Sequence, residues 1–302
     1  MHIPDGFLST PVWAALDAAA APSVGWLARR AQQRFDSGRT PLLGVMGAFV
    51  FAAQMINFPV GVGTSGHLVG GALLAVALGP AAASVTMTAI LALQALVFQD
   101  GGILALGANV LNMAVFGVLA GYLPYHYLAG TRWRRAAIFA GGALSVMAGA
   151  VLAIAELLIS GIRMPAAVLG VSLGLFLVAA ALEGAITLAV VEGLEAMGVG
   201  LARAPGERRS RALAAVALAA VLLAAVGVMF ASASPDGLEK LAAEIGIAGR
   251  ARNLIATPVT DYEAGFLETP WLRKAAAGLA GLALIYGVCV LVGRAAARRR
   301  SV

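Results

Sequence analysis

The chain has 302 residues, of which 61% are hydrophobic and 12% charged, and its mean hydropathy is +0.90. Soluble domains average about 25% charged residues, so this composition excludes a soluble globular protein; a single cysteine, Cys289, excludes an internal disulfide and a cysteine metal cluster. The net charge of +6 calls for no nucleic-acid partner, because the basic residues fall in patches that a membrane topology explains.

The chain opens Met1-His2-Ile3-Pro4-Asp5-Gly6, without the basic and apolar regions of a cleavable signal peptide. Pro4, Asp5 and Gly6 are turn formers, suited to folding the N-terminus back onto the protein. Breaks at Gly, Pro and charge clusters then divide the chain into nine expected helices. They lie at about 11–30, 41–57, 67–79, 82–98, 103–123, 136–160, 165–196, 212–232 and 271–293. The third is short for a span, and Pro80 marks a bend after it. Glu156 and Glu183 fall inside the sixth and seventh, where a carboxylate costs at least roughly 2.5 kcal/mol on insertion scales and is functional by default. The polar segment 197–211 reads as a cytoplasmic linker between two membrane units, 1–205 and 206–302. In the second unit two helices flank a polar external loop, about 234–269, with Asp236, Glu239, Glu244, Asp261, Glu263 and Glu268.

Arginine placement orients the stack. Fifteen of the 21 basic residues gather on one side, in clusters around Arg29–Arg39, Arg132–Arg135, Arg203–Arg211 and Arg294–Arg300. With nine helices, the N-terminus is expected outside the cell membrane and the C-terminus in the cytoplasm. Met1, His2, His67 and the loop Gln99-Asp100-Gly101-Gly102 then share the extracytoplasmic side.

That shared side matters because a free N-terminus followed by histidine is a chelating unit. The Met1 amine, the deprotonated amide of His2 and the His2 imidazole close fused rings around one small cation. His67, in the loop Gly63-Thr64-Ser65-Gly66-His67, offers a fourth nitrogen. Four nitrogens in a square favour Ni(II) or Cu(II), with Co(II) as another occupant. The third histidine, His126, follows Pro124-Tyr125 near the cytoplasmic arginines and reads as part of an interfacial aromatic belt. Asp5, Ser65, Gln94, Asp100, Asn109 and Asn112 fall in or near the outer half of the bundle. Each is a candidate to orient a ligand imidazole from behind, or else a helix cap or interhelical hydrogen bond.

Met1-His2-Ile3-Pro4-Asp5-Gly6-Phe7-Leu8 and the Ser65-Gly66-His67 loop resemble the substrate-binding component of nickel/cobalt energy-coupling-factor transporters, the CbiM/NikM family, over roughly residues 1–205. Pro235-Asp236-Gly237-Leu238-Glu239 between two helices resembles the small auxiliary component, CbiN/NikN. The resemblance implies an all-α polytopic membrane protein, a seven-helix bundle plus two further helices. It also implies a non-enzymatic role: metal capture outside, with import driven by a separate transmembrane coupling protein and two cytoplasmic ATPases. The metal is then cargo, Ni(II) or Co(II), with no cofactor expected. The chain has no G-x-x-x-x-G-K-[ST] phosphate loop of its own. By the same resemblance the ligands are Met1, His2 and His67. Pro4-Asp5-Gly6 stands where cobalt members often read Met-Glu-Gly, which favours nickel.

Two other functions fit parts of the sequence. A stand-alone metal channel or secondary carrier would need a polar pathway, for which Glu156 and Glu183 are sparse material. An intramembrane serine protease is suggested by Gly63-Thr64-Ser65-Gly66, but a serine nucleophile needs a base held on a separate element. His67 is too near in sequence, and His126 is expected across the membrane.

Overall fold

The computed structural model describes residues 1–34, 40–61, 63–197 and 206–298. In chain order the first unit has α1 (Thr10–Arg34), α2 (Thr40–Gln54), a hairpin of β1 (Phe58–Gly61) and β2 (Thr64–Gly66), and α3 (Gly71–Leu78). Next come α4 (Pro80–Leu93), α5 (Leu106–Asn109), α6 (Val118–Leu128), α7 (Arg134–Ile159) and α8 (Ala166–Ala196). The second unit has α9 (Gly206–Ala225), the short α10 (Gly237–Glu244) and α11 (Pro270–Arg298).

Six of the described helical segments are long and apolar enough to cross a membrane: Pro80–Phe98, Leu106–Leu128, Arg134–Ile159, Ala166–Ala196, Ser210–Met229 and Pro270–Ala295. These are six of the nine expected helices, so the count of nine spans is not confirmed among the described residues. α2 is apolar but has 15 residues, and α3 has 8, all of them buried. α1 has the length of a span but carries Asp17, Arg29 and Arg30 among its 25 residues. α3 starts at Gly71, behind a left-handed Gly70 (φ 78°), rather than at His67, so His67 lies on an irregular segment between β2 and α3. The β-hairpin is a further correction to an all-helical expectation, although a local one. Most of the predicted linker, residues 198–205, lies outside the described residues, as do Arg39, Arg203, Arg299 and Arg300 of the arginine pattern.

Two of the spans are interrupted by π-helix. α4 continues into Gln94–Phe98, and Val110–Gly117 joins α5 to α6. Such wide turns gather at functional sites, and these two bracket residues 99–109. Helices approach closely where side chains are absent: a Cβ on Gly142 of α7 would stand 2.7 Å from the Gly184 Cα of α8. Small residues at contacts are how helices pack in lipid. Large apolar side chains such as Leu158, Ile159, Leu177 and Leu291 remain exposed on the outer faces, where acyl chains rather than water surround them. The second unit is packed onto the first, with both α9 and α11 lying against α2.

Candidate metal centre

The N-terminal segment is threaded into one end of the bundle and pinned at Ile3 and Asp5. Ile3 is buried; its N–H donates to Asn109 Oδ1 (2.8 Å), and its carbonyl accepts from Asn109 Nδ2 (3.0 Å) and from the Gly102 N–H (2.8 Å). The Asp5 carboxylate accepts from the N–H groups of Ile103, Leu104 and Ala105 at 2.8–3.1 Å. Gly102 is required at this crossing, since a Cβ there would stand 2.2 Å from Asp5 Oδ1. These bonds leave the chain one path, which ends with the Met1 amine facing His67.

The Met1 amine lies 3.0 Å from His67 Nε2 and 2.6 Å from Asp236 Oδ2. The other ring nitrogen of His67, Nδ1, lies 3.1 Å from the Leu68 carbonyl. A carbonyl can only accept, so Nδ1 carries the proton and the Nε2 lone pair points at the amine. That is the tautomer of a metal-ligating histidine whose second nitrogen is held by backbone. Burial, reinforced by the positive N-terminus and His2, lowers the His67 pKa to about 4, so its ring is neutral at physiological pH. The His2 and His67 rings are stacked, 5.4 Å between centroids and 5° from parallel. Metal–imidazole bonds of about 2.0 Å put adjacent corners of a square roughly 2.8 Å apart, close to the observed amine–imidazole spacing.

The segment that carries His67 is braced from two sides. Gln54 Nε2 donates to the Val69 carbonyl (2.8 Å), and Gln94 Nε2 donates in turn to Gln54 Oε1 (2.8 Å). The buried Glu183 accepts from the N–H groups of Val69 and Gly70, both at 2.8 Å. This gives one of the two membrane carboxylates a local purpose: it caps the strained approach to α3. The other, Glu156, accepts from Asn112 Nδ2 at 2.8 Å inside the bundle.

His2 Nδ1 faces Asp100 Oδ1 at 3.0 Å, while its Nε2 is buried without a hydrogen-bond partner among the described residues. Burial opposes charge on Asp100, but His2, hydrogen bonds from His2 and Tyr262, and His67 together carry its pKa well below the usual carboxylate range. Asp236 follows the same balance. Burial raises it, and the N-terminal ammonium, His67 and its own hydrogen bonds bring it down. Asp236 is also the N-cap of α10, accepting from Leu238 and Glu239 in a capping box. A cavity of about 630 Å³ opens beside these groups, lined in part by His2, His67, Asp100, Asp236 and Tyr262.

Met1, His2 and His67 are thus brought together. Of the six residues expected behind them, Asp100 touches a ligand candidate directly. Asp5, Asn109 and Gln94 fix the backbone that presents the ligands, and Ser65 bonds to the second unit. Asn112 is engaged with Glu156 instead. His126 lies on α6 against Tyr122 and Tyr127, away from this cluster. Sequence reasoning missed Asp236 and Tyr262 as parts of the site. The Pro-Asp-Gly-Leu-Glu string was a pointer to the first; nothing in the sequence pointed to the second.

Comparison with known proteins places these observations. Residues 2–201 match the family model CbiM, described as the cobalt uptake substrate-specific transmembrane region, and residues 210–298 match the PDGLE domain. A putative fused nickel transport protein, NikMN, of Archaeoglobus fulgidus is 34% identical, covering 94% of this chain and 95% of its own length. The fused nickel transport protein NikMN of Rhodobacter capsulatus is 32% identical over the full length of both. A solved structure described as a truncated transition metal transporter superposes with a TM-score of 0.56 at 34% identity. It covers 64% of this chain and 98% of its own. With both models matched in tandem and a pinned, histidine-bearing N-terminus in between the helices, the chain belongs to the CbiM family of multi-pass membrane proteins and carries a PDGLE domain fused behind it.

Proposed function

We propose that this chain is the metal-capture membrane component of an ATP-driven, energy-coupling-factor type importer for a divalent transition metal, nickel in preference to cobalt. The observation that carries the proposal is the Met1 amine 3.0 Å from the lone-pair nitrogen of His67, with the His2 ring stacked alongside. Met1 (amine), His2 (amide and imidazole) and His67 (Nε2) hold the cation, which is cargo rather than cofactor. A square of nitrogens that includes a deprotonated amide suits the d8 ion Ni(II). The family match and the nickel transport named in its relatives support the same reading.

The N-terminus is placed outside, so that the site faces the supply of metal. Transport work is assigned to a separate transmembrane coupling protein and two cytoplasmic ATPases, since this chain has no phosphate loop. A stand-alone carrier is separated from this reading by uptake in vesicles with and without those partners. The direct test is the absorption spectrum of purified protein loaded with nickel. The expected result is one equivalent per chain in a yellow, diamagnetic site; octahedral, paramagnetic nickel would overturn the ligand set.

Truncation after about Arg203 bears on the division of labour. The truncated protein keeps Met1, His2 and His67 and is expected to coordinate nickel, more weakly than the full chain. Its uptake of radioactive nickel in cells that contain the coupling and ATPase proteins is expected to fall. A folded truncated form with no metal binding at all would place an obligatory ligand in the second unit.

A further inference from the structure

Two side chains of the PDGLE unit reach the candidate centre by different routes. Asp236 meets the Met1 amine directly. Tyr262 meets none of the proposed ligands; its hydroxyl donates to Asp100 Oδ2 at 2.6 Å, and the other Asp100 oxygen faces His2 Nδ1 at 3.0 Å. We propose that Tyr262 is a positioning residue: its hydroxyl holds the Asp100 carboxylate in place while His2 exchanges that carboxylate for a divalent metal cation. The inference rests on the metal-capture reading above and names a further residue of the same site.

The need for such a group follows from the chelate. A ring through the residue 2 amide closes on Nδ1, which is the nitrogen that Asp100 engages. Coordination therefore displaces the Nδ1 proton, which is released to solvent while the bound ring carries its proton on Nε2, and takes one hydrogen bond away from Asp100. A buried carboxylate left without donors loses its compensation for desolvation. The Tyr262 hydroxyl is bonded to the oxygen that His2 does not use, so it remains after the exchange. Without it, Asp100 has His2 as its partner and releases it at greater cost.

Tyr262 is also held for this task at some expense. Its backbone lies in the left-handed region, φ 58°, next to Asp261 at φ 53°. That conformation is uncommon for any residue but glycine and an outlier for a bulky one. It persists where the surroundings over-determine it, as they do at functional sites. Here the surroundings are aromatic: the Tyr262 ring stacks on Phe98 with 4.7 Å between centroids and 14° between planes, and meets Phe51 at 6.1 Å. Those ring contacts do not involve the hydroxyl, so a phenylalanine keeps the anchor and loses the bond to Asp100. Burial and the neighbouring Asp100 charge raise the phenol pKa well above its ordinary value, so the hydroxyl stays a donor.

The experiment uses the full chain as wild type, Tyr262→Phe, Asp100→Ala and the double variant, titrated with nickel against a competing chelator. Tyr262→Phe is expected to bind nickel about tenfold more weakly, the low end of the range for removal of a group behind a metal ligand. The absorption spectrum of bound nickel stays unchanged, and the tenfold effect disappears in the Asp100→Ala background. Unaltered affinity in Tyr262→Phe overturns the proposal, as does the same tenfold loss in the absence of Asp100, which would make the tyrosine a packing residue. A second arm needs no metal. In chelator-treated protein at fixed pH, Tyr262→Phe is expected to move the ¹⁵N signals of the His2 imidazole and leave those of His126 in place. If the wild type binds no nickel, the function proposed above fails, while unmoved His2 signals in this arm would still overturn the role of Tyr262.

Discussion

One residue added before Met1, or an acetyl group on its amine, is expected to abolish nickel binding while the protein still folds. The amine is the end of a path with no slack. Ile3 is bracketed by Asn109, and Asp5 by three backbone N–H groups, so an added residue cannot be absorbed by sliding. The Met1 side chain is 11% exposed, and a Cβ on Gly149 would come within 3.2 Å of the Met1 methyl, so that side chain is seated as well. Extension carries the primary amine past His67 and acetylation turns it into an amide, so neither leaves an amine at the corner beside His67, and the ion pair with Asp236 is lost. The loss should exceed the roughly 10–100-fold that removing an outer partner of a metal ligand costs. The transmembrane core does not depend on the amine, so thermal unfolding in detergent should change little. Wild-type affinity in an acetylated protein, verified by mass spectrometry, would rule out the amine as a ligand.

The second large effect is expected at the histidines. His67→Ala removes one corner of the square, and His2→Ala removes the imidazole that anchors the chelate; both should lose high-affinity nickel binding. His126→Ala should bind as the wild type does, because His126 sits among tyrosines on α6. The proposed site predicts more than loss for His67. With its pKa lowered to about 4 by burial and nearby positive charge, the imidazole is neutral from above about pH 4 upward. Protonation of His67 therefore does not limit binding at pH 6, whereas an exposed histidine of ordinary pKa, about 6.5, would. The ¹⁵N signals of the His67 imidazole in metal-free protein, followed between pH 5 and 7, decide this, since they should not titrate there. A dead His126→Ala beside an active His67→Ala would overturn the geometry altogether.

The residues of the candidate centre were legible because their signal is compositional and positional at once. Three histidines in 302 residues leave few pairings, and His2 beside an amine has a specific chemistry. The helices were legible in place because long apolar runs are the strongest signal a chain offers. Their kinds were not. α3 is as apolar as a span, and only the positive φ of Gly70 and Gly79 at its two ends shows that it is 8 residues long. The hairpin of Phe58–Gly66 was hidden for a related reason: a short apolar run with glycines does not separate strand from helix end. Tyr262 was out of reach entirely. Its position depends on two consecutive left-handed residues and on stacking against Phe98, which is distant in sequence. Glu183 was visible as a buried charge, but its use, capping the backbone beside His67, is a tertiary fact.

The seam between hairpin and PDGLE unit has a consequence for how the mouth of the protein closes. Ser65 donates through its N–H to the Pro235 carbonyl at 2.8 Å and through its hydroxyl to the Ser234 carbonyl at 2.7 Å, and Ser65 and Asp236 form a parallel bridge. Two hydrogen bonds contribute about 1–3 kcal/mol net. Holding two separate proteins together at even 1 mM takes about 4 kcal/mol. Those two bonds alone would not hold free partners together; the seam also has the Met1 amine–Asp236 ion pair and Leu238, Leu241 and Ala242, buried in one apolar cluster with Ile3, Phe7 and Phe176. Here α9 and α11 keep the loop anchored against α2, so closure is a tethered event at an effective concentration of order millimolar or above. A closure tethered this way needs no diffusional search, so it does not depend on the abundance of a partner.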